Sequence, residues 1–69
     1  MAKKLYWVHV NTQNNTVVAE IDTNDFSEAM DEYYYYVGIS DDTGRHDNIY
    51  VDKRNEDNTY SNICKYEGR

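Results

Sequence analysis

A chain of 69 residues with a net charge of −6 makes one small domain, close to the lower size at which a chain folds without staples. The single cysteine, Cys64, excludes an internal disulfide, and no apolar run approaches membrane length. An acidic balance disfavours nucleic acid and membrane surfaces as partners and favours basic ones.

Lys3 to Asn11, KKLYWVHVN, alternates as a strand, with Tyr6, Val8 and Val10 on one face and Leu5, Trp7 and His9 on the other. The first set is expected to meet a helix. Trp7 then lies on the opposite face, covered by the chain's own termini or buried against a second subunit. The apolar part of this stretch, Leu5 to Val10, is too short for a signal peptide and is broken by His9. A soluble, reduced, cytoplasmic protein is the expectation. Thr12 to Asn15 is turn chemistry, since asparagine tolerates positive φ. Thr16 to Asp22 reads as the partner strand, with Val17, Ala19 and Ile21 inward and Val18, Glu20 and Asp22 outward.

Thr23 to Gly38 is the one credible helix. Thr23, Asn24 and Asp25 are good N-cap types, and Asp25 and Glu28 stand at capping-box spacing. Gly38 reads as its stop. Phe26, Met30, Tyr33 and Val37, with Ala29 alongside, recur at helical spacing and make one apolar stripe. Asp25, Glu28, Asp31 and Glu32 fall mostly off that stripe, over about 10 Å of the outer side. Of the tyrosine run, Tyr33 belongs to the stripe, Tyr34 and Tyr36 flank it, and Tyr35 points outward. Such tyrosines suit an interface and equally suit the rim of a sheet.

Ile39 to Asn48 reads as a polar loop pivoting on Gly44. Its Asp41, Asp42 and Asp47 fail the ligand spacing of a calcium loop. Asn48 to Lys53 is a short strand, Asn55 to Asn58 turns it, and Tyr60 to Tyr66 returns, with polar and apolar residues mixed on both faces. The fold class is therefore α+β, in the order β-β-α-β-β: one antiparallel four-stranded sheet with a single helix on one face.

The charge is unevenly placed. Residues 1–19 carry +2, residues 20–52 carry −9 and residues 53–69 carry +1. A solvated, solubilising surface is the plain account of those acids. No catalytic constellation is present: His9 and His46 sit in no acid–base or metal motif, and there is no phosphate loop or nucleophile elbow. Neither a metal nor an organic cofactor is expected. Direct nucleic-acid binding is not expected either, because Lys3, Lys4, Lys53, Arg54, Lys65 and Arg69 form no basic track beside the aromatics. A chain of this kind acts by contact.

Small size, acidic charge, eight tyrosines and the β-β-α-β-β order resemble the DNA-mimic proteins with which bacteriophages disable host factors, in particular the inhibitors of the bacterial chromosomal protein HU. The resemblance lies in character across the whole chain and rests on no diagnostic motif. It implies a homodimer in the bacterial host cytoplasm that occupies the DNA-binding surface of a basic host protein. The residues matching by character are Glu20, Asp22, Asp25, Glu28, Asp31, Glu32, Asp41 and Asp42, with Trp7 and Tyr35 as partner or dimer contacts. Two other readings stand beside it. One is an inhibitor or adaptor that docks on an enzyme such as a polymerase or nuclease through Trp7 and the tyrosines. The other is a small structural or assembly subunit.

Overall fold

The computed structural model describes residues 4–44 and 47–68. Strands β1 (Tyr6–Asn11) and β2 (Val17–Thr23) precede helix α1 (Phe26–Thr43), and β3 (Asn48–Arg54) and β4 (Tyr60–Tyr66) follow it. The four strands form one sheet in the order β2-β1-β3-β4, antiparallel at every pairing. This is the expected α+β architecture. Lys3, expected to begin the first strand, lies outside the described residues, as do Arg45, His46 and Arg69; β1 itself begins at Tyr6.

The core lies between the helix and the two central strands. Val8, Val10, Ile49, Val51 and Ala29 are buried, and Tyr6, Ile21, Met30, Tyr33 and Cys64 pack around them. Tyr6, Val8 and Val10 thus face the helix as their alternation requires, opposite Ile49, Val51 and Lys53 of β3. Phe26, placed on the apolar stripe, is instead 47% exposed at the start of the helix, with its ring 5.5 Å from that of Tyr6.

Two β-bulges explain what alternation alone misplaces. In β2 the register shifts between Val10 and Asn11, so that Asn11 pairs with Val17 and Val10 with Ala19. The extra residue, Val18, comes round to the helix side, where it lines a groove with Val10, Ala19, Tyr36 and Ile39. Val17 therefore sits opposite Asn11, on the face away from the helix, reversing the expected orientation of the two valines. In β4 the shift falls between Val51 and Asp52, with Ile63 as the extra residue. Tyr60 and Asn62 before it share the outer face with Asp52 and Arg54, while Cys64 and Tyr66 after it face the helix. The mixed pattern of residues 60–66 is two clean alternations out of phase.

Asp25 caps the helix, its Oδ1 accepting from the amides of Ser27 at 2.8 Å and Glu28 at 3.4 Å. Thr23 Oγ1 accepts from the Asp25 amide at 3.0 Å, and Asn24 Oδ1 from the Leu5 amide at 2.9 Å, so the other two cap candidates brace the entry. The helix does not stop at Gly38. It runs five residues further, to Thr43, and ends at Gly44 in the left-handed conformation, with φ of 68°. The expected loop from Ile39 is thus helical over its first half. Continuation buries Ser40, whose hydroxyl accepts from the buried Asp47 amide at 3.0 Å, and half-buries Ile39. These contacts outweigh the roughly 1 kcal/mol that a glycine costs inside a helix.

The two glycines should consequently respond to alanine with opposite signs. Gly38 is exposed, and a Cβ there meets nothing within 4 Å. Gly38→Ala should stabilise by about 0.5–1 kcal/mol and raise Tm by several degrees. Gly44→Ala forces a Cβ into the left-handed region and should cost about 1–2 kcal/mol. Thermal melts of the two variants against the parent chain check both, and a rise with Gly44→Ala would refute this helix end.

Candidate functional site

The outer side of α1 carries the acids. Successive residues turn by about 100°, so Asp31 and Asp42, eleven apart, stand almost in line, three turns or about 16 Å from each other. Glu28 and Tyr35 lie beside that line, and Glu32 lies on its flank. Glu28, Asp31 and Asp42 are exposed, Tyr35 is 62% exposed and Glu32 is half-buried. Extension of the helix past Gly38 creates this arrangement, because it converts Asp42 from a loop residue into part of a rigid row. From Glu28 to Asp42 the row spans about 21 Å.

The other expected acids are placed differently. Asp25 spends one carboxylate oxygen on the helix cap. Asp41 accepts a short hydrogen bond from the Tyr66 hydroxyl, which ties the last helical turn to β4. Glu20 and Asp22 pair with His9 and Trp7 across the β1–β2 ladder. They therefore face away from the helix, and the eight acids do not make one patch. Four lie along the helix, two serve its ends, and two belong to the opposite surface of the sheet.

That opposite surface is an aromatic and polar layer. Trp7 stacks on His9 with centroids 3.8 Å apart and 14° between planes, and His9 in turn lies 5.0 Å from Tyr50. Tyr60 reaches over from β4 to stand 5.4 Å from Trp7. Beneath the rings, His9 Nε2 lies 2.8 Å from Asp52 Oδ2, and Asn62 Nδ2 donates to Asp52 Oδ1 at 2.9 Å. His9 Nδ1 is 3.3 Å from Asn11 Oδ1, so both ring nitrogens are satisfied locally. Trp7 is half-buried by these neighbours of its own chain, and the two ends expected to cover it lie outside the described residues. No protein-family model, curated protein or solved structure matches this chain. What the two surfaces do rests on their own chemistry.

Sequence reasoning missed this layer. Its signal was present: Trp7 and His9 on β1, and Tyr50 and Asp52 on β3, are the outward positions of adjacent central strands. Only the pairing of Trp7 with Asp52 and of His9 with Tyr50 brings them together. Tyr60 and Asn62 join them because the bulge at Ile63 sets their phase.

Two tyrosines are perturbed. Burial chiefly, with the nearby Cys64 and Tyr34, pushes the Tyr33 phenol above its ordinary range. Donation to Asp41 pushes Tyr66 upward as well. In both the folded state favours the neutral phenol. The stabilisation is therefore complete below the ordinary tyrosine value of about 10 and is lost as pH rises through the raised values. In an absorbance titration at alkaline pH, Tyr33 and Tyr66 should ionise above the ordinary tyrosine range. Tyr66→Phe should remove one of the late steps, and loss of a step in the ordinary tyrosine range instead would show that the bond to Asp41 does not form.

Among the described residues no group of three or more His, Cys, Asp or Glu side chains gathers in metal-binding range. Asp41 and Asp42 stand on the helix while Asp47 is buried beside Ser40, so the three do not converge. No helix of the described chain is long and apolar enough to cross a membrane.

Proposed function

We propose that this chain is a DNA mimic, which binds a basic bacterial DNA-binding protein through the outer side of α1 and competes with DNA for it. The observation that carries the reading is the row Glu28, Asp31, Glu32 and Asp42 on one rigid helix. It presents four carboxylates over about 21 Å, against one phosphate per ~3.4 Å along a DNA strand. The row is sparser than DNA, so it needs more than one copy of itself to rival a duplex. A homodimer meets that need and would match a two-fold symmetric target. A thin core with Val17, Val18, Phe26 and Ile63 left 39–47% exposed supports such an association. HU is the target to which the resemblance points.

The test is displacement. Labelled duplex DNA bound to HU is titrated with the protein at low and moderate salt. Release of DNA that weakens steeply with ionic strength supports charge mimicry. Absence of release at every salt concentration removes HU as the target.

A second reading draws on Tyr34 and Tyr35, which are 64% and 62% exposed on the same helix. Large exposed tyrosines suit docking on a partner such as a polymerase or nuclease by contact area. Binding that survives high salt and is lost on Tyr34→Ala with Tyr35→Ala favours this reading over mimicry.

A further inference from the structure

On the face of the sheet away from the helix, a cleft of about 240 Å³ is lined by Trp7, Tyr60, Glu20 and Asp22. Two aromatic rings wall it and two carboxylates floor it. Glu20 and Asp22 have no hydrogen bond or ion pair to any described residue, so their charge is uncompensated within the described chain. The indole wall is rigid, because its other side is stacked on His9, and His9 is pinned by Asp52, itself fixed by Asn62. Groups held in place before a ligand arrives lose little entropy on binding it.

Aromatic faces beside carboxylates suit an organic cation. A guanidinium satisfies both wall types at once, since its plane stacks on a ring while its N–H fork meets a carboxylate in two bonds. An ammonium is a point charge without a plane, and it is more strongly hydrated. We propose that the Trp7–Tyr60–Glu20–Asp22 cleft is a binding site for an arginine side chain of a protein partner. This adds to the mimicry reading a specific point of attachment for a basic partner on the sheet face opposite the helix row. It rests on that reading only for the source of the arginine.

Trp7 is the sole tryptophan, so its fluorescence reports the cleft directly. The protein is titrated with N-acetyl-arginine methylamide, with the equally charged lysine derivative and with the neutral citrulline derivative. Saturable fluorescence change is expected with arginine in the millimolar range. It should be several-fold weaker with lysine and absent with citrulline. In NMR spectra the Trp7 indole N–H and the Glu20 and Asp22 amides should shift together. Glu20→Gln with Asp22→Asn should abolish the response, and Asp22→Asn alone should weaken it several-fold if the double variant loses its native spectrum. No saturation with arginine, an equal response to lysine or citrulline, or a response indifferent to the carboxylates would overturn the assignment. The helix-face variant Asp31→Lys with Asp42→Lys should leave the response intact. Arginine binding in the cleft combined with unaltered DNA competition by that variant would overturn the helix reading alone.

Discussion

Replacing Asp31 and Asp42 together by lysine is expected to weaken competition with DNA for HU by about 30- to 100-fold. Each exposed ion pair across a wet interface is worth under about 1 kcal/mol, so Asp31→Asn alone should cost less than about 5-fold. Reversal does more than removal, because each new lysine then faces the basic groove that the row is meant to enter. Two lost attractions and two repulsions amount to about 2–3 kcal/mol, and each 1.4 kcal/mol is tenfold. The pair tests the surface without disturbing the fold. Asp31 is exposed at mid-helix, and Asp42→Lys puts a cation into a last turn that has no basic residue, where the helix dipole favours one. Each reversal shifts the charge by two, so the net charge moves only from −6 to −2 and the protein stays acidic. Fluorescence anisotropy of labelled duplex checks the result. Displacement equal to that of the parent chain would mean that the helix row is not the contact surface, and Tyr34 and Tyr35 become the better candidates.

This variant pair could not have been chosen from the sequence. Asp31 was legible as an outward helix residue, but Asp42 lay in what reads as a loop beyond a glycine stop. Local chemistry at Gly38 argues for termination. What overrides it is tertiary, namely the burial of Ser40 against Asp47 and the half-burial of Ile39 beneath the sheet edge. Propensity is a prior of about 1 kcal/mol at such a position, and a few buried contacts exceed it. Gly44, read only as a pivot, turned out to be the true cap.

The strands show the same division. Their existence, order and turns followed from alternation and from asparagine-rich turns, and Asn15 and Asn58 indeed carry the positive φ of 62° and 68°. The faces followed only where the register is regular. Val8 and Val10 were assigned correctly because β1 is regular against β3 throughout. Val17 and Val18 were exchanged because a bulge inserts one residue, and no local signal distinguishes a strand with that insertion from one without. Glu20 and Asp22 were correctly read as outward, yet grouping them with the helix acids joined residues on opposite sides of the sheet. Charge along a sequence shows where acids are dense, and only topology shows which of them share a surface.

Ile49→Ala should be the most damaging single change to the fold. Ile49 is fully buried on central strand β3, paired with Val10 on one side and Tyr66 on the other. Truncation there removes three buried carbons and leaves a cavity that a regular ladder cannot close, at a cost of about 2–5 kcal/mol. A domain of this size rarely holds more than about 3–5 kcal/mol in its core. The variant should therefore be substantially unfolded at 25 °C, with lost backbone ellipticity and little cooperative transition in urea. Ile63→Ala is the matched control: the same side chain, 39% exposed at the β4 bulge, where the loss should stay below about 1 kcal/mol. The contrast depends wholly on the register of β4, because without the bulge Ile63 would pair with Asp52 in place of Asn62, and Tyr60 would turn to the helix face. Equal destabilisation by both changes would contradict that register, and with it the placement of Tyr60 beside Trp7. Binding gives a second readout. A partner that recognises only the folded chain stabilises it by RT ln(1 + [L]/Kd), about 2.7 kcal/mol at a hundredfold excess over Kd. Added HU should then restore much of the Ile49→Ala signal if the folded chain binds it, and should restore none if it does not.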